Sequence, residues 1–263
     1  MNSFSNNTAI FWALLMRDIK VLKGRFTNLA IDGLILMSVT VLIFGQLLPL
    51  LGMPTSLIAP LFLGNSLSFF LASLGYNFAT RMVYDLKFNR FIEYFLTLPL
   101  PKRWLFAYLV TSFVIETTVV TLPLVTLGIV LLGKNFGPIN GSFISFLIIY
   151  FLVLLFWALF FLGSSFMYSY HWFKNNMWAR RLMPLFVFGP SFFTLKKIAA
   201  IMPRFSKLML CNPLTYLIEG LRVSLLGGTD YLPLTTCIVG TFIAIACVSL
   251  RLYYAIYKQL DPV

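Results

Sequence analysis

Charged side chains are scarce in this 263-residue sequence. Asp, Glu, Lys and Arg make up 11% of it, and only eight residues are acidic, whereas soluble domains carry about 25% charged residues. Hydrophobic residues make up 60%, which is more than a soluble fold of this length can bury, because a small domain leaves too much surface to cover. The composition excludes a water-soluble domain and predicts an all-α protein surrounded by membrane lipid.

Histidine and cysteine are also rare: the chain has one histidine, His171, and three cysteines, Cys211, Cys237 and Cys247. A lone histidine cannot build a metal site, and the cysteines lack the spacing of metal ligands. No Ser-His-Asp or paired-carboxylate arrangement can be assembled from so few polar residues. We therefore expect no metal site, no catalytic residue and no bound cofactor in this chain.

The segment from Gly128 to Asn135 comes within one residue of a P-loop. A P-loop needs a preceding strand and a Ser or Thr that binds magnesium. Here an apolar run precedes the segment, and Asn135 replaces the hydroxyl. We conclude that it does not bind nucleotide, so that any ATP would be bound by another chain.

Long apolar runs are what the sequence does contain. A bilayer core about 30 Å thick needs about 20 helical residues. Six runs are candidate spans: residues 29–51, 57–80, 104–132, 142–170, 182–195 and 232–257. The fifth has a clean apolar core of only 14 residues. It either begins earlier, with residues 177–181 partly buried, or is a re-entrant element packed against protein.

The 20 basic residues lie between these runs rather than in one stripe, so the net charge of +12 does not indicate nucleic-acid binding. If the chain crosses the membrane six times, fourteen of the basic residues lie on the same side as both termini and six lie on the other side. Membrane proteins retain Lys and Arg in cytoplasmic loops. The bias predicts that both termini are cytoplasmic, and that the C-terminus is outside if the fifth run does not cross.

Residues 1–28 contain an amphipathic helix that is too charged to span a bilayer. On a helical projection one sector about 100° wide holds its apolar side chains, which are Phe11, Trp12, Leu15, Ile19, Leu22 and Phe26. The basic residues lie outside that sector; they are Arg17, Lys20, Lys23 and Arg25. We expect an interface helix that lies flat at the cytoplasmic surface.

The cytoplasmic loop at residues 81–103 mixes charged residues with apolar ones at helical spacing. The apolar residues are Phe88, Phe91, Ile92, Phe95 and Leu96, and Pro99 and Pro101 close the segment. A loop that only joined two spans would be short and polar. This one predicts a short helix that presses on another protein in the cytoplasm.

The outer region, residues 196–231, predicts a second short helix. Asn212 can cap it, Pro213 suits its first position, and Gly227 ends it. Glu219 and Arg222 are three residues apart and can pair. Because this helix is too short to span and too apolar for water, we expect a re-entrant helix in the outer leaflet.

Two acidic residues, Asp32 and Glu116, lie in the apolar runs. Placing an ionisable group inside a bilayer costs free energy, so such a residue often has a function. Both residues are therefore candidates for a translocation path. The structural alternative for Asp32 is pairing with Arg25 or a lipid headgroup. For Glu116 it is pairing with a protein cation.

In three places the sequence resembles the membrane subunit of ABC type-2 exporters. These are the amphipathic helix that ends near Arg25, the loop NRFIEYFLTLP at residues 89–99, and the outer NPLT at residues 212–215 followed by Arg222. The loop matches the family pattern at Arg90, Glu93, Leu96 and Pro99. It departs at Phe91, where many relatives have Gly or a polar residue. The resemblance covers the whole chain, 1–263, as a single transmembrane domain.

The resemblance implies a permease in the bacterial inner membrane that works with a separate ATPase. The cytoplasmic loop would be a coupling helix seated on that ATPase, with contacts from Phe88, Arg90, Phe91, Glu93, Leu96 and Pro99. Two membrane chains and two ATPase chains would assemble, with ATP and Mg²⁺ bound by the ATPase. Such transporters move lipids, lipid-linked glycans, drugs or other amphiphiles outward.

Two other classes of protein compete with this interpretation. An integral-membrane enzyme, such as a lipid-modifying transferase, would need clustered His or Asp at one membrane face, and the sequence lacks such a cluster. A secondary transporter that needs no ATP would show internal repeats and more polar residues within its spans. The sequence shows no internal repeat.

Overall fold

A computed structural model describes residues 3–88 and 101–260 of the chain, and every regular element within these ranges is helical. The principal helices are α1 (Ser3–Leu42), α2 (Ile58–Leu61), α3 (Ser68–Lys87), α4 (Lys102–Leu132), α5 (Phe143–Met167), α6 (Tyr170–Met177), α7 (Met183–Val187), α8 (Leu195–Ile201), α9 (Pro203–Met209), α10 (Pro213–Leu226) and α11 (Leu234–Leu260). Three short π-helical turns connect helices. The first, Ile43–Leu47, continues α1 into the helical turn Leu48–Leu50. The second, Phe62–Leu67, joins α2 to α3, and the third, Trp178–Leu182, joins α6 to α7.

Among the described residues, five helical runs are long and apolar enough to cross a membrane. They are Asn7–Leu50, Thr55–Lys87, Arg103–Phe136, Phe143–Met167 and Leu234–Ile256. These correspond to the first four and the last of the six predicted spans. The all-helical membrane architecture is therefore confirmed.

The first helix runs without a break through the boundary predicted between the interface helix and the first span. The uninterrupted run Asn7–Leu50 has 44 residues and is about 66 Å long at 1.5 Å per residue. Gly24 is the strongest helix-weakening residue near the boundary, and it costs only about 1 kcal/mol relative to Ala, which does not break a helix. The prediction of a separate helix that ends near Arg25 is therefore wrong.

The fifth predicted span, residues 182–195, is wrong in its bounds. The helical run there is α6, the π-helical turn and α7, which together extend from Tyr170 to Val187. Phe173 and Met177 are fully buried, so packing sets its start well before the first basic residues. The chain leaves the helix before Pro190, because the residue before a proline is disfavoured in helical conformation.

The chain of this fifth run nevertheless continues toward the other end of the bundle, although its helical part ends at Val187, about halfway along α5. At one end, the ring of Tyr170 meets that of Tyr84 at 5.6 Å. Halfway along α5, Phe186 stacks on Trp157. Beyond the run, the Ser191 carbonyl accepts a hydrogen bond from Arg222. The alternative in which the fifth helix begins before residue 182 therefore describes the structure.

The two ends of the bundle differ. We call the end that carries residues 88 and 101 the loop end, and the end that carries residues 195–231 the hairpin end. The start of α1 lies at the loop end, since Phe11 packs against Trp104 at 5.7 Å. The last turns of α11 lie there too, because Arg251 contacts Met167, the last residue of α5. The first and last helices therefore start and finish at the same end.

Helices α8, α9 and α10 form a helical hairpin that enters the bundle and returns to the same end. Lys196 donates to the Thr229 carbonyl at the hairpin end. At the apex, Asn212 donates to the carbonyl of Leu185 at 2.7 Å. Asn212 also caps α10 by accepting from the Leu214 N–H, and Gly227, with a φ of 67°, ends that helix, as the sequence predicts.

Gly75 tests the packing of α3 against α5. A Cβ atom at this position would lie 2.2 Å from the ring of the fully buried Phe161. We expect Gly75→Ala to lower the free energy of unfolding by about 1–3 kcal/mol, the usual effect of overpacking, measured as a fall in melting temperature in detergent.

Gly24→Ala is the matched control, because a Cβ atom there meets nothing within 4 Å. It should stabilise the exposed helix by up to about 1 kcal/mol. Equal melting temperatures for the two variants would contradict the close approach of α3 and α5.

Candidate functional site

A polar cleft of about 560 Å³ opens at the loop end between α1, α3 and α4. Its charged lining residues are Arg17, Asp18, Arg25, Arg81, Asp85 and Glu116. Apolar and aromatic side chains complete the wall; they include Val21, Leu22, Phe78, Met82, Tyr108 and Tyr170. The cleft thus offers ionic and apolar surface side by side.

Asp18 joins α1 to α4 in the wall of this cleft. Its carboxylate accepts hydrogen bonds from the Tyr108 hydroxyl at 2.5 Å and from the Ser112 hydroxyl at 2.7 Å. Arg17 lies 2.8 Å from the other carboxylate oxygen and also donates to Tyr108. Hydrogen bonds to a charged group are stronger than those between neutral groups, so this network fixes the contact between the two helices.

Glu116 joins α4 to α3 one helical turn beyond Ser112. Its carboxylate lies 2.6 Å from the Arg81 guanidinium, and the two side chains are 20% and 37% exposed. Because α3 extends to Lys87, Arg81 is part of a helix that continues from the second predicted span into the segment 81–103. Glu116 is thus paired with a protein cation, as expected if its role is structural. A role in translocation stays a prediction.

Asp32 lies apart from this cleft. It is exposed on the outer face of α1, next to the exposed side chain of Ile31 and near that of Ile35. Among the described residues it forms no ion pair, so the predicted pairing with Arg25 is absent. The two candidate path residues, Asp32 and Glu116, are therefore not brought together within one chain.

The predicted coupling residues fall mostly outside the described residues: these are Arg90, Phe91, Glu93, Leu96 and Pro99. Phe88 is described and is 55% exposed. Its ring lies 5.0 Å from that of Tyr84 and 5.6 Å from that of Tyr170, both of which line the cleft. The segment predicted to contact an ATPase therefore begins at the edge of the cleft.

The basic residues predicted for the interface helix occupy two kinds of position. Arg17 belongs to the Asp18 network and Arg25 lines the cleft. Lys20 and Lys23 are exposed on the outer surface of α1. Sequence reasoning missed Tyr108 and Ser112 as partners of Asp18. Their spacing of four residues, which places both on one face of α4, was the available signal.

At the hairpin end, Glu219 and Arg222 form an ion pair without any exposed side-chain surface, at 2.9 Å. Arg222 also donates to the carbonyls of Pro60, Ser191 and Phe193. A buried charge is tolerated when it is paired and its remaining hydrogen-bonding groups are satisfied. These carbonyls satisfy the remaining N–H groups by accepting their hydrogen bonds.

Glu219 in turn accepts from the backbone N–H groups of Leu195 and Leu232. Burial lowers the pKa of the Arg222 guanidinium, while the neighbouring Glu219 carboxylate opposes that shift. The approach at Gly64 is so close that a Cβ atom would lie 2.0 Å from the Arg222 guanidinium. The predicted pair is thus present, and it joins α10 to three other segments, at residues 60, 191–195 and 232.

Within the ranges that the structure describes, no three His, Cys, Asp or Glu side chains lie close enough together to hold a metal ion. The cysteines there are free thiols. The chemistry available at the cleft is that of ion pairs, hydroxyl groups and aromatic rings.

A helical bundle with five long apolar helices, a hairpin at one end and a charged cleft at the other defines a multi-pass membrane protein. A family model described as ABC-2 type transporter matches residues 9–226. Because this match covers most of the chain, the chain belongs to the ABC-2 transporter family and is a permease subunit. No curated protein and no solved structure gives a match.

The buried ion pair gives a stability prediction. Glu219→Ala leaves the Arg222 charge buried without its partner, which costs about 3–5 kcal/mol. We expect a large loss of correctly folded protein, measured as the monodisperse fraction and melting temperature after extraction.

Lys196→Ala is the control, since it breaks an exposed ion pair with Asp230 at the same end of the bundle. Exposed pairs contribute about 0–1 kcal/mol, so this variant should behave like the unmodified chain. Equal losses in both variants would show that burial of the pair is not what stabilises the hairpin.

A charge swap separates the two roles considered for Glu116. Glu116→Arg places two cations together and should lower stability by about 1 kcal/mol or more. The double variant Arg81→Glu/Glu116→Arg restores opposite charges and should recover the melting temperature.

ATP hydrolysis and cargo movement by a complex of the swapped chain with an ATPase subunit then decide the question. If pairing is the function of Glu116, the swap restores both activities together with stability. Recovered stability with lost transport would instead assign the carboxylate to the translocation path.

Proposed function

We propose that this chain is the permease of an ATP-driven exporter in which a separate ATPase subunit acts on the segment between residues 88 and 101. The observation that supports this most is the position of the cleft. It adjoins the described start of that segment at Phe88. A force applied to the segment therefore reaches α3 and α4 directly.

Movement of α3 and α4 is carried to α1 by the two charged contacts of the cleft. Glu116 couples α4 to α3 through Arg81, and Asp18 couples α4 to α1 through Tyr108 and Ser112. Because the charged side chains of these contacts are only partly buried, water can replace their partners when the helices separate. The contacts can therefore rearrange during a transport cycle without stranding a buried charge.

The loop end faces the cytoplasm in this proposal, with both termini on that side. The bias of Lys and Arg toward the loop end supports this orientation. ATP and Mg²⁺ are bound by the ATPase partner, on the cytoplasmic side of a bacterial inner membrane.

Two copies of the chain assemble, together with two ATPase subunits, in this proposal. The outer face of α1 supports the second copy, because it exposes Ile31, Ile35 and Val39 around the unpaired carboxylate of Asp32. A charge on a lipid-facing surface is expensive. A second copy, or a polar path between two copies, would remove that cost.

The cargo is an amphiphile, such as a lipid, a lipid-linked glycan or a drug. The cleft supports this class, since paired charges and apolar side chains line the same space. A purely polar solute would gain little from Val21, Leu22 and Met82. A purely apolar solute would have to desolvate Arg25 and Asp85.

Glu93→Arg tests the contact with the ATPase. When the variant is co-expressed with the ATPase, we expect at least a tenfold lower yield of co-purified ATPase, because the substitution reverses the charge of a residue at the contact. Membrane insertion and monodispersity of the permease should be unchanged.

Asp230→Arg is the matched control, an acid-to-arginine change on a side chain that is 81% exposed at the hairpin end. It should leave co-purification intact. If Glu93→Arg retains the ATPase as well as Asp230→Arg does, the segment 88–101 is not the contact.

A further inference from the structure

Two arginine side chains approach the ring of Tyr168 at the loop end, on the side of the bundle formed by α5, α6 and α11. The guanidinium carbon of Arg251 is 6.0 Å from the centre of its ring, and that of Arg181 is 5.9 Å away. Trp172 stacks on the same ring with a centroid distance of 3.9 Å. We call these four residues, Tyr168, Trp172, Arg181 and Arg251, the Tyr168 cluster.

The two arginines of this cluster have no carboxylate partner among the described residues. Arg251 donates only to the Met167 sulfur and to the Tyr168 hydroxyl, which are neutral acceptors. Arg181 contacts the ring of Tyr168 and forms no hydrogen bond with another described side chain or carbonyl. A guanidinium has five N–H donors, so most of the hydrogen-bonding capacity of the cluster is unused.

Two like charges around one aromatic ring repel each other unless an anion joins them. Lys174 and Arg180 are exposed nearby on the same helical run and add to the positive potential. Guanidinium groups bind phosphate through two parallel hydrogen bonds. The free donors of the cluster therefore suit a phosphate group.

The surroundings of the cluster indicate that this phosphate belongs to a lipid. Next to Arg251, Leu250 is 69% exposed and Tyr253 is 70% exposed. Close to Arg181, Met183 is 40% exposed. Tyr and Trp are typical of the boundary between membrane and water, and basic pockets between membrane helices bind anionic lipid headgroups.

We propose that the Tyr168 cluster binds the phosphate of an anionic phospholipid, such as phosphatidylglycerol, in the leaflet at the loop end. Arg251 and Arg181 hold the phosphate from α11 and from the π-helical turn before α7. The acyl chains lie against the exposed apolar side chains of α11 and α7. The site does not depend on the proposed contact with an ATPase, because it rests on different helices.

The test is a lipid titration of the purified full chain, with any ATPase that co-purifies, followed by native mass spectrometry. Phosphatidylglycerol should bind at least fivefold more tightly than phosphatidylcholine. Arg181→Gln/Arg251→Gln should remove that preference. The control Arg204→Gln/Lys207→Gln also removes two cations, which are exposed at the hairpin end. This variant should keep the preference for phosphatidylglycerol.

The single variant Arg181→Gln should fold normally, because this side chain is exposed. It should weaken phosphatidylglycerol binding while the melting temperature stays unchanged. Unchanged binding in the folded single and double variants would overturn the proposal, as would an equal loss in the control pair. Displacement of the lipid by millimolar inorganic phosphate would assign the cluster to a soluble anion. Loss of ATPase co-purification with lipid binding intact would assign it to a protein contact.

Discussion

Glu219 and Arg222 form an ion pair that has no contact with solvent, and the hairpin end of the molecule is arranged around it. Removing two charges from water is expensive, and only close pairing with full hydrogen bonding makes it tolerable. The remaining partners come from three other segments of the chain: Pro60, then Ser191, Phe193 and Leu195, and finally Leu232. None of these segments can move without exposing an unpaired charge in a dry environment, so this end is held as one unit.

The loop end satisfies its charges in a different way. Asp18 and Glu116 are bound to hydroxyl groups and to arginines at the wall of a cleft. Water or a polar headgroup can replace such partners at a small cost. The molecule thus combines a fixed hairpin end with an adaptable loop end, and the segment 88–101 adjoins the adaptable one. That arrangement suits a permease which is driven from the loop end.

Local signals in the sequence predicted the local parts of this structure. Asn212 and Pro213 begin α10 as expected, because capping depends on neighbouring residues, and the spacing of Glu219 and Arg222 predicted their pair. The depth of that pair could not be predicted, since Pro60 lies 162 residues away from Arg222 in the chain. The Asp18 network was missed for the same reason. The bounds of the fifth helix were wrong because only the apolar core, residues 182–195, was counted as the span. The buried Phe173 and Met177 show that the packed helix begins earlier, at Tyr170.

The central claim is that the cleft changes shape during the ATPase cycle while the hairpin end does not. Spin labels at Lys23→Cys and Lys87→Cys measure the distance across the cleft, because both positions are exposed and lie on its two sides. The labelled chain has its three native cysteines replaced. A second labelled chain, Lys134→Cys/Lys197→Cys, reports the hairpin end. Pulsed electron–electron distance measurements on the complex should show that ATP and Mg²⁺ shift the first distance and leave the second unchanged. A constant distance across the cleft, or an equal shift at both ends, would contradict the account.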